Sequence, residues 1–264
     1  MMLGMLTAVF VPPSTKDFVF DCFFGGKVLG IDACFNFVTA LVVASMIVFI
    51  LLFVFAFFRP KVVPGKFQTL MEMGLSFVRE QIALPMLGQD ADKYMALLAT
   101  LFFFILVGNL FEVAPWVNFS ANSRVAYPLV MAMIAWATYN VAGIRKHGFF
   151  GYLKFTCIIP AAPGWLRYSL LMVIEFISNI IIRPITLTVR LAANFIAGHF
   201  LLAIFFLGNV FFLRDGPKTW ALLGVSAPLA LILVAFEIFV ALLQAFIFAM
   251  LTASYIGGVL AEEH

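Results

Sequence analysis

The chain has 264 residues, 64% of them hydrophobic and 11% charged, with a formal net charge of +3. Soluble domains carry about 25% charged residues, so this balance excludes a soluble globular protein and marks an integral membrane protein. No basic cluster exceeds a few residues, which excludes a nucleic-acid partner, and Cys22, Cys34 and Cys157 show neither metal-site spacing nor a disulfide framework.

The N-terminal MMLGMLTAVFVPPSTKD is apolar but has no basic region ahead of it. It reads as a mature N-terminus, or a weak anchor, rather than a signal peptide. Residues 1–32 form an external segment. Residues 33–58 exceed the roughly 20 apolar residues that a crossing helix needs. They end at Arg59, Lys61 and Lys66, which puts that end in the cytoplasm and the N-terminus outside.

Residues 63–88 open on Pro64-Gly65, close on Pro85 to Gly88, and carry Gln68, Glu72, Arg79 and Glu80 among apolar positions. That pattern predicts an amphipathic helix at the membrane interface. Residues 94–111 are a second span, running outward to Glu112 and the loop VAPWVNFSANSR. Residues 125–142 are a third, ending at Arg145, Lys146 and His147, so the spans alternate as the charge rule requires.

Two long apolar runs follow, 167–213 and 221–260, joined by RDGPKTW. Each would reach about 60 Å as a continuous helix, against a hydrocarbon layer of about 30 Å. Either each run breaks into two spans or the pair forms a strongly tilted hairpin. Neither Pro184 nor Pro228 is followed by a clear break.

The first long run carries polar residues in a pattern. At about 100° per residue, Glu175, Asn179, Arg183, Thr186, Arg190 and Asn194 share an arc of roughly 100°. His199 falls outside it and faces something else. Glu237 is the acid available on the second run, where it shares a face with Gln244 and Tyr255, so a His199–Glu237 pair between helices is expected. Charges within a bilayer are costly and mark ion pathways. The bland alternatives are snorkelling for Arg183 and plain interhelical hydrogen bonding for Asn194. No nucleotide loop, metal-ligand pair or Ser-His-Asp arrangement is present, so no cofactor and no metal are implied. Arg190 does not titrate in the physiological range. It is a fixed positive charge that attracts a passing carboxylate and favours its ionised form, whereas Glu175, His199 and Glu237 can exchange protons. The residues thus describe a proton path with a fixed-charge barrier, acting on a carboxylate of a partner.

The stretch RPITLTVRLAANFIAGH at 183–199 resembles the signature of subunit a of the F-type ATP synthase, the membrane stator beside the rotating c-ring. LLQAFIFAMLTASYI at 242–256, GIRKHGFFGYLK at 143–154, VPGKFQ, GNLF and the EEH ending fit the same family. The GIRKHGFFGYLK stretch is similar to that family's loop signature. The resemblance implies that Arg190 faces the ring carboxylate and separates two half-channels. It implies an outer half-channel at Asn194, His199, Glu237 and Gln244, the His–Glu pair occurring in some members with the two types exchanged. It implies an inner half-channel at Glu175, Ser178 and Asn179, with Arg183 and Tyr255 as accessory positions. The external loop SANSRVAYP departs from the family pattern, leaving Asn122 as a polar lining and Arg124 and Ala126 where polar residues are usual.

The implied fold class is an all-α integral membrane protein forming a single membrane domain over 1–264. Steep helices and the interfacial helix occupy 33–147, and the tilted hairpin with a short cytoplasmic tail occupies 148–264. The implied setting is the bacterial cell membrane, with c-ring, b-type peripheral stalk, the remainder of the F1Fo complex, protons and membrane lipids as partners. The chain would be a non-catalytic subunit of the rotary enzyme. The competing readings are a stand-alone proton-coupled transporter and a structural scaffold of a membrane complex.

Overall fold

The computed structural model describes residues 24–28, 31–114, 125–157, 170–214, 216–217 and 219–260. The expectations for residues 1–23, for the loop holding Asn122 and Arg124, and for the acidic tail at 261–264 lie outside the described residues.

A short antiparallel hairpin, β1 (Phe24–Val28) and β2 (Ile31–Phe35), pairs Phe24 with Phe35 and Val28 with Ile31. It precedes a body built of helices joined by short connections. Asn36 starts α1 (Phe37–Phe57) by accepting the Thr39 N–H at 3.1 Å, which satisfies one of the free donors of a helix N-terminus. Then come α2 (Lys66–Val78), α3 (Leu84–Leu87), α4 (Ala91–Val113), α5 (Ala126–His147), α6 (Phe149–Cys157), α7 (Leu170–Ile177), α8 (Arg183–Arg214) and α9 (Trp220–Leu260). By length and composition, five helical stretches among the described residues can cross a membrane: Phe37–Phe57, Lys66–Val113, Ala126–His147, Met172–Arg214 and Trp220–Leu260.

The expected amphipathic helix and second span are two elements packed side by side, residues 66–87 and Ala91–Val113, with Gly74 against the Phe103 ring and the Phe77 ring 6.0 Å from that of Phe102. The first buries Met71, Val78, Ile82 and Leu87 while Leu70 and Met73 stay open. Gly88 turns the chain between them with φ +53, a conformation that favours glycine.

Two prolines are absorbed without breaking their helices, and by the same device. A π turn at Arg79–Ala83 ends just before Leu84-Pro85, and a second at Ser178–Ile182 ends just before Arg183-Pro184. A π turn accommodates one more residue than an α turn. In each, the residue before proline donates its N–H five residues back, Leu84 to the Arg79 carbonyl and Arg183 to the Ser178 carbonyl. Helix α9 takes up Pro228 within its length.

The stretch GIRKHGFFGYLK, expected as a loop, is helical on both sides of one glycine. Gly148, at φ +71, ends α5, and α6 begins at once. Helix α6 lays Tyr152 against Gly143, where a Cβ would collide with the ring.

The core lies between α4, α5 and α9, around Val78, Ile82, Leu98, Ile105, Tyr139 and Phe248. Ala241, Ala245, Ala249 and Ala253 recur every fourth residue on the buried side of α9, the small-residue spacing that lets helices approach closely in lipid. Helix α8 packs on α5 and α9 through Leu187, Thr188, Leu191, Ala192 and Leu202, while Ile185, Val189 and Ile196 look outward. At the base, Lys146 Nζ donates to the Leu260 carbonyl and His147 Nε2 lies 3.1 Å from the Val259 carbonyl. Cationic side chains at a helix C-terminus complement its dipole. The basic end of α5 and the C-terminus of α9 therefore share one end of the bundle.

Candidate functional site

At that basic end a half-open cavity of about 360 Å³ is lined by Glu175, Asn179, Arg183, Ser254, Tyr255 and Gly258. Arg183 Nη2 stands 3.8 Å from Glu175 Oε1. The guanidinium also lies over two aromatic rings, 4.9 Å from the centre of Tyr255 and 5.9 Å from that of Tyr139. Such faces attract a cation electrostatically. Asn179 is 2% exposed. Its Nδ2 donates to the Tyr152 hydroxyl at 3.1 Å, and that hydroxyl donates to Asn140 Oδ1 at 2.8 Å. The Tyr139 hydroxyl donates to the Asn179 carbonyl at 2.7 Å. The cavity is thus polar, holds an ion pair, and lies at the end where the bundle is basic.

A second polar group occupies the other half of the long helices. Glu237 is 5% exposed and Glu112 is 3% exposed, and the two carboxylates lie within electrostatic reach of one another. Glu112 Oε1 is buried with no hydrogen-bond partner among the described residues. Glu237 rests on Gly198, whose missing side chain makes the room for its carboxylate. His199, half-buried, is the next residue. Gln244 is buried on α9 with no partner for its Nε2 among the described residues, between Glu237 and the basic-end cavity in chain order.

Arg190 stands between these groups. It lies about 10 Å along the helix axis from Arg183 and about 14 Å from His199. It is exposed, on the outward side of α8 with Thr186, Ala193 and Ala197, and makes no ion pair among the described residues. Asn194, one turn further, is half-buried.

The expected single seam from Glu175 to Asn194 does not exist as one face. Asn179 points into the bundle, whereas Thr186 and Arg190 are exposed on α8. Counting 100° per residue fails across Ser178–Ile182 because the π turn shifts the register of all that follows. The structure brings Glu175, Asn179, Arg183 and Tyr255 together, with Ser178 in the same turn and half-buried. It brings Glu237 to the residue beside His199, and it leaves Arg190 apart from both groups.

Glu112, Tyr139 and Tyr152 are site residues that the sequence did not single out. Glu112 ends a span, where an acid reads as solvated. Tyr139 sits in a span rich in interfacial aromatics, and Tyr152 in a stretch read as a loop. The one available signal was the spacing of Glu112 beyond Asn109, one helical turn apart on a helix that has no other acid after Asp92.

The sequence profile of the ATP synthase A chain family matches residues 37–257. The chain is 38% identical to an ATP synthase subunit a of a Nocardioides species, over 97% of this chain and 95% of the relative. It is 41% identical to an ATP synthase subunit a of Rhodococcus erythropolis, over 80% of this chain and 78% of the relative. It is 37% identical to an ATP synthase subunit a of Streptomyces lividans, over 97% and 89% respectively.

Proposed function

The chain belongs to the ATP synthase subunit a family, and we propose that within it the chain carries protons through two offset half-channels along a rotating c-ring. It is a multi-pass membrane protein of the proton-translocating stator. The finer reading is that α8 and α9 lie strongly tilted, with the outward face of α8 against the ring, and that proton flow turns the ring to make ATP or is driven backwards by hydrolysis. The chain itself holds no part of the nucleotide chemistry.

The observation that carries this reading is the exposed Arg190 in the middle of an apolar helix. An arginine facing hydrocarbon is costly, so its face calls for a partner carboxylate. Small neighbours at Ala193 and Ala197 leave room for a helix to approach. The titratable groups lie to either side along the axis. Glu112, Glu237, His199 and Gln244, with Asn194, form the outer path. Glu175, Asn179 and Ser178, beside Arg183 and Tyr255, form the inner path through the basic-end cavity. A proton crossing 100 mV releases about 2.3 kcal/mol. Arg190 keeps that proton from running directly between the paths, because a fixed cation excludes it while the ring carboxylate passes in neutral form.

The basic ends at Arg59 to Lys66 and Arg145 to His147 support a cytoplasmic basic end and an external N-terminus in a bacterial cell membrane. The partners are the c-ring and b-type stalk subunits of the F1Fo complex. A stand-alone transporter would need internal repeats and broken midplane helices, and the long helices run unbroken past their prolines.

The test is Arg190→Ala in the purified complex reconstituted into vesicles. The expected result is an assembled complex that neither synthesises ATP from a proton gradient nor pumps protons with ATP. Full ATP-driven pumping overturns the proposal, and recovery of the chain as an active transporter without a ring does so too.

A further inference from the structure

The backbone carbonyl of Asn179 is left without a backbone donor. The Arg183 N–H, which an α turn would send to it, is spent on the Ser178 carbonyl. The next bond of the π register would come from residue 184, and that residue is proline, which has no N–H. Asn179 is 2% exposed, so an unpaired acceptor there would carry a full desolvation penalty. The Tyr139 hydroxyl supplies the donor at 2.7 Å, from a side chain that is itself 0% exposed. The corresponding carbonyl of the other π turn, that of Glu80 ahead of Pro85, belongs to an exposed residue and can be served by solvent.

The same tyrosine reaches the charged pair. Its ring flanks the Arg183 guanidinium, and Tyr255 flanks it more closely. The two rings meet edge to face with centroids 5.7 Å apart. One side chain therefore closes the hydrogen-bond register of the turn and forms a wall of the cation's seat.

We infer that Tyr139 is a positioning residue of the basic-end cavity: its bond to the Asn179 carbonyl holds the π turn in the register that puts Asn179 in the bundle and the Glu175–Arg183 pair at the cavity. The inference rests on the proton-path reading above. Pro184 and Tyr139 act as a unit, the proline removing a donor and the tyrosine replacing it. Without the hydroxyl, the turn must re-form elsewhere or open, and it carries Asn179 and Arg183 with it.

The test is Tyr139→Phe, which keeps the ring and removes the donor, in the complete complex in vesicles. ATP-driven pumping is followed against the pH on the basic-end side with the other side fixed, and then the reverse. The expected result is a pumping rate about tenfold lower, the equivalent of one buried acceptor left unpaired. The basic-end pH profile should change, with the opposite profile unchanged. Wild-type profiles on both sides overturn the inference. Adding Pro184→Ala returns an N–H to the turn, and the Tyr139→Phe/Pro184→Ala double variant should recover most of the rate and the profile. Failure of that rescue also overturns it. Should Tyr139→Phe not assemble, the double variant decides: regained assembly with a wild-type basic-end profile supports the inference, and anything less sinks it. Arg190→Ala measured in parallel separates the two claims. If Arg190→Ala pumps normally, the proton-path reading falls; if it is inactive while Tyr139→Phe behaves as wild type, only the role of Tyr139 falls.

Discussion

The carboxylate of Glu237 on α9 is seated directly on Gly198 of α8, so close that a Cβ at position 198 would collide with both of its oxygens. This contact joins the two long helices at the level of His199. It sets the position of a buried acid by the absence of a side chain on its neighbour.

Gly198→Ala should therefore displace the acid and leave the fold in place. The atoms in the way are the far end of a flexible side chain, so the stability cost is about 1 kcal/mol, the low end for overpacking. Proton translocation should fall about tenfold, or roughly 1.4 kcal/mol on the barrier. Heat resistance of the purified complex and passive proton flux through vesicles stripped of the F1 part measure the two effects. A large loss of stability with unchanged flux per assembled complex would contradict the assignment.

Glu112 approaches Glu237 from α4 and has one buried carboxylate oxygen with no partner among the described residues. Glu112→Gln preserves its shape and removes its exchangeable proton. Passive proton flux should drop about tenfold with assembly unchanged. Glu112→Asp, which keeps the acid, should retain most of the flux. Equal flux in Glu112→Gln and the wild type would remove Glu112 from the path.

His199 and Glu237 are adjacent in level on facing helices, with Gly198 as the contact. His199→Glu alone gathers acids around Glu237 and Glu112, and Glu237→His alone removes one. The double exchange restores one imidazole and one carboxylate. ATP-driven pumping in the double variant should exceed that of either single variant several-fold, a coupling of about 1 kcal/mol or more between neighbours. Additive losses would show that the two residues act independently.

Much of the helical frame could be read directly. In hydrocarbon every backbone group must be satisfied within the segment, so apolar runs of sufficient length become helices, and α1, α4, α5, the stretch from α7 through α8, and α9 lie within a few residues of the runs read for them. The stretch around Gly148 could not be read in the same way. Its second helix is short and becomes stable by laying Tyr152 on Gly143, a contact between α6 and α5 that composition does not announce.

Local chemistry by itself determined that this chain spans a membrane, that Arg190 is a fixed charge within an apolar helix, and that acids and a histidine lie on either side of it. Those facts follow from hydrophobicity and side-chain type, which are properties of single residues. Only the tertiary structure decided which way each residue faces. The π turn ahead of Pro184 shifts the register, so Asn179 turns into the bundle while Arg190 looks out. The meeting of Glu112 with Glu237 and that of Tyr139 with the Asn179 carbonyl depend on how separate helices pack, and a register shift of one residue is enough to redirect every side chain beyond it.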